Sequence, residues 1–357
     1  MENGISIYPG LDNTLEENLS LIDDAASCGI KRIFTSLHIP ETNVEALKKE
    51  WSQLLQSARK HDMEIISDIS PRTMEILGLR EFSLSIFRMR GISTLRLDDG
   101  YSPEEIAKLS HNKQGVRIQL NASTITGKIL TALMNAEANF DNIDALHNFY
   151  PRPGTGLSEE TLVRKTVMLH KIGIRAGAFV GSEGKKRSPL FDGLPTLEDH
   201  RGVSPDLAAR HLVALGTDSV FFGDSLPEKE ELRALGALRE DQIVVRAEML
   251  TKDPVQQELL QRTFTARIDE ARDAIRAKES RGLISGPIYP ENTAERNPGD
   301  ITIDNEGYLR YMGELEIIKT PQSADKRTNV AARVKEEEKF LLDYITPGRR
   351  FSFLFDE

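Results

Sequence analysis

The sequence contains one cysteine, Cys28, among its 357 residues. A single thiol cannot form an internal disulfide, and proteins of oxidising compartments commonly depend on disulfides for stability. The N-terminal residues lack the basic region and the apolar run of a secretion signal. No stretch approaches the roughly 18 apolar residues that a membrane helix requires. These absences predict a cytoplasmic protein.

Basic residues are fewer than acidic ones. The sequence has 46 lysines and arginines and 56 aspartates and glutamates, which gives a net charge of -10. A nucleic acid or an anionic membrane would meet an unfavourable overall field. We therefore predict neither a nucleic-acid partner nor a membrane partner. An anionic ligand would have to be bound by a few cations placed at its site.

The common cofactor motifs are missing as well. The sequence has no Gly-x-Gly-x-x-Gly, no Gly-x-x-x-x-Gly-Lys-Ser/Thr, and neither Cys-x-x-Cys nor His-x-x-x-His. A dinucleotide, a P-loop nucleotide and a structural zinc ion are therefore disfavoured, and we predict no cofactor. A catalytic metal held by His38, Asp68 and His147 on separate strands remains an alternative.

Short runs of β-branched and aromatic residues recur through residues 1–240 and alternate with segments of helical spacing. Such runs are typical of strands that are covered on both faces. Strands are predicted to begin near Gly4, Lys31, Met63, Ser93, Val116, Ile143, Ile174 and Asp218. Helix starts are marked by a capping box at Thr14–Glu17 and by Ser-Pro pairs at Ser102 and Ser204. The pattern predicts an α/β fold, a (β/α)8 barrel over residues 1–240.

The pattern changes after residue 240. Residues 244–357 contain several short strand-like runs, which predict a small, mostly β domain. Asp304–Gly307 is predicted to form a hairpin turn between strands at Ile301–Ile303 and Tyr308–Met312.

Carboxylates follow two neighbouring strands of the predicted barrel. Asp68 ends the third strand, and Asp98 and Asp99 end the fourth. The active sites of such barrels lie at the carboxyl ends of the strands. One pair of acids could divide the roles of acid and of nucleophile or base in cleaving a glycosidic bond. Alternatively, Asp98 and Asp99 could orient an acetamido group and protonate the leaving oxygen, or any one of the three could be a helix cap or an ion-pair partner.

Two loops contain side chains suited to a charged sugar. Residues 147–156 combine His147 and Asn148, which can bond hydroxyls, with the rings of Phe149 and Tyr150. After the seventh strand, glycines flank Lys185 and Arg187, in the region where many barrels bind phosphate. A rigid structural loop and a solvated basic loop are the respective alternatives.

Nine segments form a distinctive set: Gly4–Pro9, Phe34–Glu41, Asp68–Pro71, Leu95–Asp98, Asn121–Ser123, His147–Pro153, Asp304–Asn305, Tyr308–Leu315 and Asn329–Val330. Taken together, these segments resemble the bacterial 6-phospho-N-acetylmuramidases. The resemblance implies a TIM barrel followed by a cyclophilin-like domain. It also implies hydrolysis of N-acetylmuramic acid 6-phosphate from N-acetylglucosamine, a step in the recycling of peptidoglycan.

The leading hypothesis is a metal-independent glycosidase that acts on a phosphorylated amino-sugar disaccharide, with Asp68, Asp98 and Asp99 as candidate catalytic residues. Substrate contacts are predicted from Tyr8, Ser36, His38, Arg96, Asn121, His147, Asn148, Tyr150, Arg152, Lys185, Arg187 and Arg310. Arg310 would contribute only if the second domain completes the pocket. A metal-dependent sugar-phosphate isomerase or epimerase, and a sugar-phosphate binding protein without catalytic activity, are the alternatives.

Overall fold

The computed structural model describes residues 1–36, 39–68, 82–97 and 100–355. It divides into two compact units, Met1–Glu240 and Asp241–Glu357. Within the described residues, no helix has the length and apolar character needed to span a bilayer.

The first unit is a closed barrel of eight parallel strands, in which each strand pairs with the next. Gly4 of the first strand pairs with Phe221 of the last and closes the ring. The strands are β1 (Gly4–Ser6), β2 (Arg32–Thr35), β3 (Glu64–Asp68), β4 (Thr94–Leu97), β5 (Arg117–Asn121), β6 (Ile143–Leu146), β7 (Ala176–Val180) and β8 (Ser219–Phe222). The structure thereby confirms the (β/α)8 fold predicted from the sequence.

Helices alternate with these strands. They are α1 (Leu15–Ser27), α2 (Val44–Lys60), α3 (Leu84–Met89), α4 (Pro103–Ser110), α5 (Gly127–Asn135), α6 (Glu159–His170), α7 (Pro205–Ala214) and α8 (Lys229–Ala237). The capping box predicted at Thr14 is present, and Ser102 forms a second one with Glu105 at the start of α4. Ser204 precedes α7 as predicted, but its side chain makes no capping hydrogen bond.

Aromatic side chains fill the interior of the barrel beneath its carboxyl-end mouth. A buried cluster consists of Tyr8, Phe34, Ile66, Leu146, Phe179 and Phe221. Gly4 leaves room for one of these rings, because a Cβ at this position would lie 2.1 Å from the Phe221 ring. The polar side chains of the mouth lie above this buried cluster.

The second unit is built on a seven-stranded sheet, with one α-helix, α9 (Pro254–Leu260), in its described part. Its strands are β9 (Gln242–Met249), β10 (Phe264–Thr265), β11 (Ala274–Arg276), β12 (Asp300–Asp304), β13 (Leu315–Ile318), β14 (Thr328–Val334) and β15 (Arg350–Phe355). They lie in the order β10-β15-β9-β14-β12-β13-β11. The pair β9 and β15 is parallel, and the other pairs are antiparallel.

One predicted strand of this unit is wrong. Residues Glu306–Tyr311 form 3-10 turns instead of a strand, and the hairpin partner of β12 is β13, which begins only at Leu315. The cause is Asn305, whose Oδ1 accepts the N–H of Gly307 at 3.0 Å and whose Nδ2 donates to Asn329 at 2.8 Å. These bonds fix a longer connection than the tight turn predicted at Asp304–Gly307.

Candidate active site

A cavity of about 410 Å³ opens at the carboxyl ends of the barrel strands. Its walls come from β2, β3, β4 and β7 and from the segments that follow β2, β6 and β7. The lining residues are Phe34, Ser36, Ile39, Pro40, Glu41, Asp68, Arg96, Asn148, Phe149, Phe179, Arg187 and Pro189. Two guanidinium groups and two carboxylates therefore face one space, so the cavity can bind a ligand that carries charge.

Asp68 and Arg96 are brought together by strand register. They are paired residues of the adjacent parallel strands β3 and β4, so their side chains point to the same side of the sheet. The Nε of Arg96 lies 3.4 Å from Oδ1 of Asp68. The side chain of Arg96 is only 3% exposed and that of Asp68 13% exposed. Asp68, one of the candidate catalytic residues, therefore forms an ion pair that is largely shielded from water.

Arg96 also fixes the segment that follows β6. Its Nη1 donates to the carbonyl of Leu146 at 2.9 Å, and its Nη2 donates to Oδ1 of Asn148 at 2.5 Å. The side-chain oxygen of Asn148 is thereby occupied, which leaves its amide N–H₂ group as the part that can donate to a ligand.

Arg187 lies between two aromatic rings. The centre of its guanidinium is 5.0 Å from the centroid of the Tyr8 ring and 4.8 Å from that of Phe149. The residue is 8% exposed, and its Nε donates to the carbonyl of Ser188 at 3.3 Å. Among the described residues no carboxylate forms an ion pair with it. Arg187 is therefore a positioned cation to which the described part of the chain supplies no counter-charge.

A buried carboxylate holds the backbone of this loop in place. Asp224, which follows β8, is fully buried and accepts the N–H of Arg187 at 3.1 Å and that of Ser182 at 2.9 Å. Burial raises the pKa of Asp224. Its position at a strand end suggests catalysis, but its contacts show a structural anchor for the arginine loop.

His147 lies in the core below the mouth. It is fully buried, with Nδ1 3.2 Å from Oγ of Ser123 and Nε2 3.4 Å from Oγ1 of Thr166. Burial, followed by the charges of Arg96 and Lys165, lowers the pKa of His147 to about 3. Because the hydroxyl of Ser123 also accepts the N–H of Asn148 at 2.9 Å, the neutral imidazole supports the position of Asn148.

Hydrogen bonds to Glu198 and Arg201 fix the backbone of the loop after β6. Glu198 accepts the N–H of Gly154 at 2.8 Å and that of Gly156 at 2.7 Å. Gly156 allows this approach, because a Cβ there would lie 2.6 Å from the Glu198 nitrogen. The bond to Arg201 is the main cause of the lowered pKa of Glu198, about 2. The guanidinium of Arg201 also donates to the carbonyl of Tyr150 at 2.9 Å.

Among the other predicted contact residues, Tyr8 packs beneath Arg187. Its ring is buried under Arg187, its hydroxyl donates to the carbonyl of Gly223 at 2.7 Å, and burial raises the pKa of Tyr8 to about 12. Ser36 lines the first cavity. Lys185 lies in an ion pair with Glu17 at 3.1 Å.

Tyr150 and Arg152 line neither of the cavities described for this mouth, and Arg152 is exposed. Arg310 belongs to the second unit, where it is exposed and its guanidinium lies 4.8 Å from the centroid of the Tyr311 ring. His38, Asp98 and Asp99 lie outside the described residues.

Phe149, whose ring was predicted to suit a sugar, lines the first cavity, and so does Glu41, which was not among the predicted contact residues. A signal for both exists in the sequence, since each follows a barrel strand within a segment that contains a predicted contact. In the described ranges, no group of three or more His, Cys, Asp or Glu residues is placed to hold a metal ion.

A second cavity, of about 490 Å³, lies at the same mouth beside the ends of β4 and β5. Its described lining residues are Leu97, Gly100, Tyr101, Pro103, Ile106, Leu120, Asn121, Thr124, Ile125, Ile129 and Asn148. Asn148 lines both cavities, so the two adjoin at this residue.

Comparison with known proteins identifies the family. The family model described as 6-phospho-N-acetylmuramidase, N-terminal, matches residues 3–237, and the corresponding C-terminal model matches residues 243–354. The chain belongs to the 6-phospho-N-acetylmuramidase family. The resemblance predicted from the sequence is confirmed.

Two solved structures are similar to this family member over its whole length. An uncharacterized protein from B. cereus is 31% identical, with 99% of this chain and 100% of that chain covered and a TM-score of 0.84. A conserved protein of unknown function from Enterococcus faecalis is also 31% identical, with 100% and 97% covered and a TM-score of 0.70. No protein with a curated description matches the chain.

Proposed function

We propose that this chain is a metal-independent glycosidase that releases N-acetylglucosamine from its disaccharide with N-acetylmuramic acid 6-phosphate. The observation that carries the proposal is the convergence of Asp68, Arg96 and Arg187 on one cavity at the mouth of the barrel. Membership of the 6-phospho-N-acetylmuramidase family supports the same activity. Such a reaction would serve the recycling of peptidoglycan sugars in the cytoplasm.

Asp68 is assigned an ionised role in this reaction. A guanidinium 3.4 Å away favours the carboxylate over the carboxylic acid, so Asp68 suits a nucleophile, a base or a group that stabilises positive charge at the anomeric carbon. The acid that protonates the leaving oxygen would then be Asp98 or Asp99. In the overall reaction the bond from the anomeric carbon to the leaving oxygen breaks. Water supplies the hydroxyl to that carbon and the proton to the released sugar.

Arg187 is assigned to the phosphate. Its planar group can donate two parallel hydrogen bonds to phosphate oxygens, and a partly desolvated cation binds an anion more strongly than a solvated one. Lys185 is the less suitable cation because it already pairs with Glu17. The substrate also carries a lactyl carboxylate, for which Arg96, Arg152 and Arg310 remain candidates.

The remaining contacts are proposed for neutral groups of the substrate. The amide N–H₂ of Asn148 and the hydroxyl of Ser36 are placed to bond sugar hydroxyls, while Tyr8 and His147 act by holding Arg187 and Asn148. Asn121, Tyr150 and His38 are the remaining residues that were predicted to contact the substrate.

The test is to incubate the protein with the phosphorylated muramyl disaccharide and to measure released N-acetylglucosamine, with and without EDTA. We expect release that EDTA does not reduce and that Asp68→Asn abolishes. Tight binding without release would instead identify a sugar-phosphate binding protein. Activity that requires a stoichiometric metal would favour a metal-dependent enzyme.

A further inference from the structure

The two cavities at the barrel mouth differ in charge. The first contains Glu41, Asp68, Arg96 and Arg187, whereas the described lining of the second contains no charged side chain. Among the described side chains, a ligand that extends across Asn148 would therefore meet charged groups on one side and uncharged groups on the other. This difference matches a disaccharide with one anionic and one neutral sugar.

The lining of the second cavity has the chemistry of a site for a neutral sugar. Tyr101 supplies an aromatic ring, Leu120 and Ile129 supply apolar surface, and Asn121 and Thr124 supply polar groups. Pockets for small molecules typically combine an apolar lining with a few placed polar groups, and their volumes are about 300–1,000 Å³. The 490 Å³ observed here lies within that range.

Tyr101 is held in position by its surroundings. It immediately precedes Ser102, whose capping box with Glu105 fixes the start of α4. Its ring centroid lies 6.2 Å from that of Phe82. Burial, followed by the charge of Glu105, raises the pKa of Tyr101 further above physiological pH, where a phenol is already neutral. A rigid, neutral aromatic ring is suited to packing against the apolar face of a hexose.

We propose that the second cavity binds the leaving sugar, a neutral N-acetylhexosamine, and that Tyr101 and Ile129 determine the specificity for it. This inference rests on the proposed function, because it assigns the other half of the same substrate. The phosphorylated sugar occupies the charged cavity, and the scissile bond lies near Asn148, where the cavities meet. The acetamido methyl group packs against the apolar wall, and a charged leaving sugar is disfavoured.

The experiment compares two substrates that differ only in the leaving group. One is the phosphorylated disaccharide, and the other is 6-phospho-N-acetylmuramyl fluoride, whose fluoride is too small to use the second cavity. The variants are Tyr101→Ala and Ile129→Glu, which alter different elements of the wall. Residue 129 is the third residue of α5, where glutamate favours a helix, so the second variant is expected to fold.

We expect both variants to lower kcat/KM for the disaccharide at least tenfold, within the range of about 10- to 200-fold for one lost apolar contact in a specificity pocket. For the fluoride we expect a change of less than threefold. Met134→Glu is the matched control, because it adds the same charge to the same helix at a residue that is 53% exposed and outside the cavity. Its kinetics should equal those of the wild type with both substrates.

Equal losses for both substrates, or no loss for either, would overturn the assignment. If the wild-type protein hydrolyses neither substrate, the proposed function is wrong, and ligand-detected NMR with N-acetylglucosamine then tests the cavity directly. Binding by the wild type that Ile129→Glu removes and Met134→Glu retains would support the site. Absence of binding by the wild type would refute it.

Discussion

Arg187→Met provides the sharpest test of how this protein would recognise phosphate. The substitution removes the cation but leaves a long apolar side chain between the rings of Tyr8 and Phe149, where sulfur packs well. A hydrogen bond to a charged group contributes about 1.5–3 kcal/mol. The corresponding loss in kcat/KM is about 10- to 150-fold.

The assay compares the disaccharide with and without its 6-phosphate. We expect the full loss for the phosphorylated substrate and a loss of less than about threefold for the other, since only the first forms the bond. Arg187→Lys retains the charge but not the planar fork, so an intermediate loss is expected.

Stability is the control for this experiment. The variant loses a cation–π interaction, of about 2 kcal/mol when desolvated, but it no longer keeps a charge in a site that is 8% exposed. The two effects oppose each other, so we expect only a small change in the free energy of unfolding. Equal losses for both substrates, with unchanged stability, would refute the assignment of Arg187 to phosphate.

Three further predictions concern catalysis, stability and the second unit. Asp68→Asn should lower kcat at least 100-fold, the lower limit of general acid–base contributions, and a variant with full activity would exclude Asp68 from the reaction. Burial lowers the pKa of His147 and of His200 to about 3, against about 6.5 in an unfolded chain, so only the unfolded state gains protons between these values. The free energy of unfolding should therefore fall by up to about 1.4 kcal/mol per pH unit for each histidine as the pH drops below about 6.5. Urea titrations should show a smaller dependence of this free energy on pH for His200→Gln, and an unchanged dependence would contradict this reasoning. Arg310→Ala should leave the melting temperature unchanged, because the described contacts of its exposed guanidinium are with the neighbouring Tyr311. A raised KM for the disaccharide would assign Arg310 to substrate binding, and an unchanged KM would remove it from the predicted contacts.

The barrel could be predicted from the sequence because its signals are local and repeated. Several strands, such as β2 and β8, are short β-branched or aromatic runs, and caps such as Thr14 and Ser102 mark where helices begin. Strand order also determines which residues meet at the mouth. For this reason the position of Asp68 at the end of β3 was sufficient to place it there.

The orientation of side chains within a loop could not be predicted in the same way. Lys185 and Arg187 are two residues apart and both are cationic, yet only Arg187 lines the cavity. The difference arises from distant partners, because Asp224 binds the backbone of Arg187 and Glu17 pairs with Lys185. The burial of His147 likewise depends on Thr166, a residue on another element.

The second unit was harder to predict because its turns depend on contacts between distant residues. The residues of Tyr308–Met312 favour a strand by propensity, but the bonds of Asn305 to Asn329 and to the 3-10 turn prevail. Strand β14 lies at the centre of the sheet, yet its run of small and polar residues carries no clear alternation. Tertiary context here outweighs local preference.

The guanidinium between Tyr8 and Phe149, which pairs with no carboxylate of the described residues, has a consequence for the resting protein. A cation without a fixed counter-charge attracts whatever small oxyanion the surrounding solution provides. Before the sugar arrives, the mouth of the barrel would hold inorganic phosphate or sulfate, which each incoming substrate must displace. Apparent affinities measured in phosphate buffer should therefore be weaker than those measured in an amine buffer of equal ionic strength.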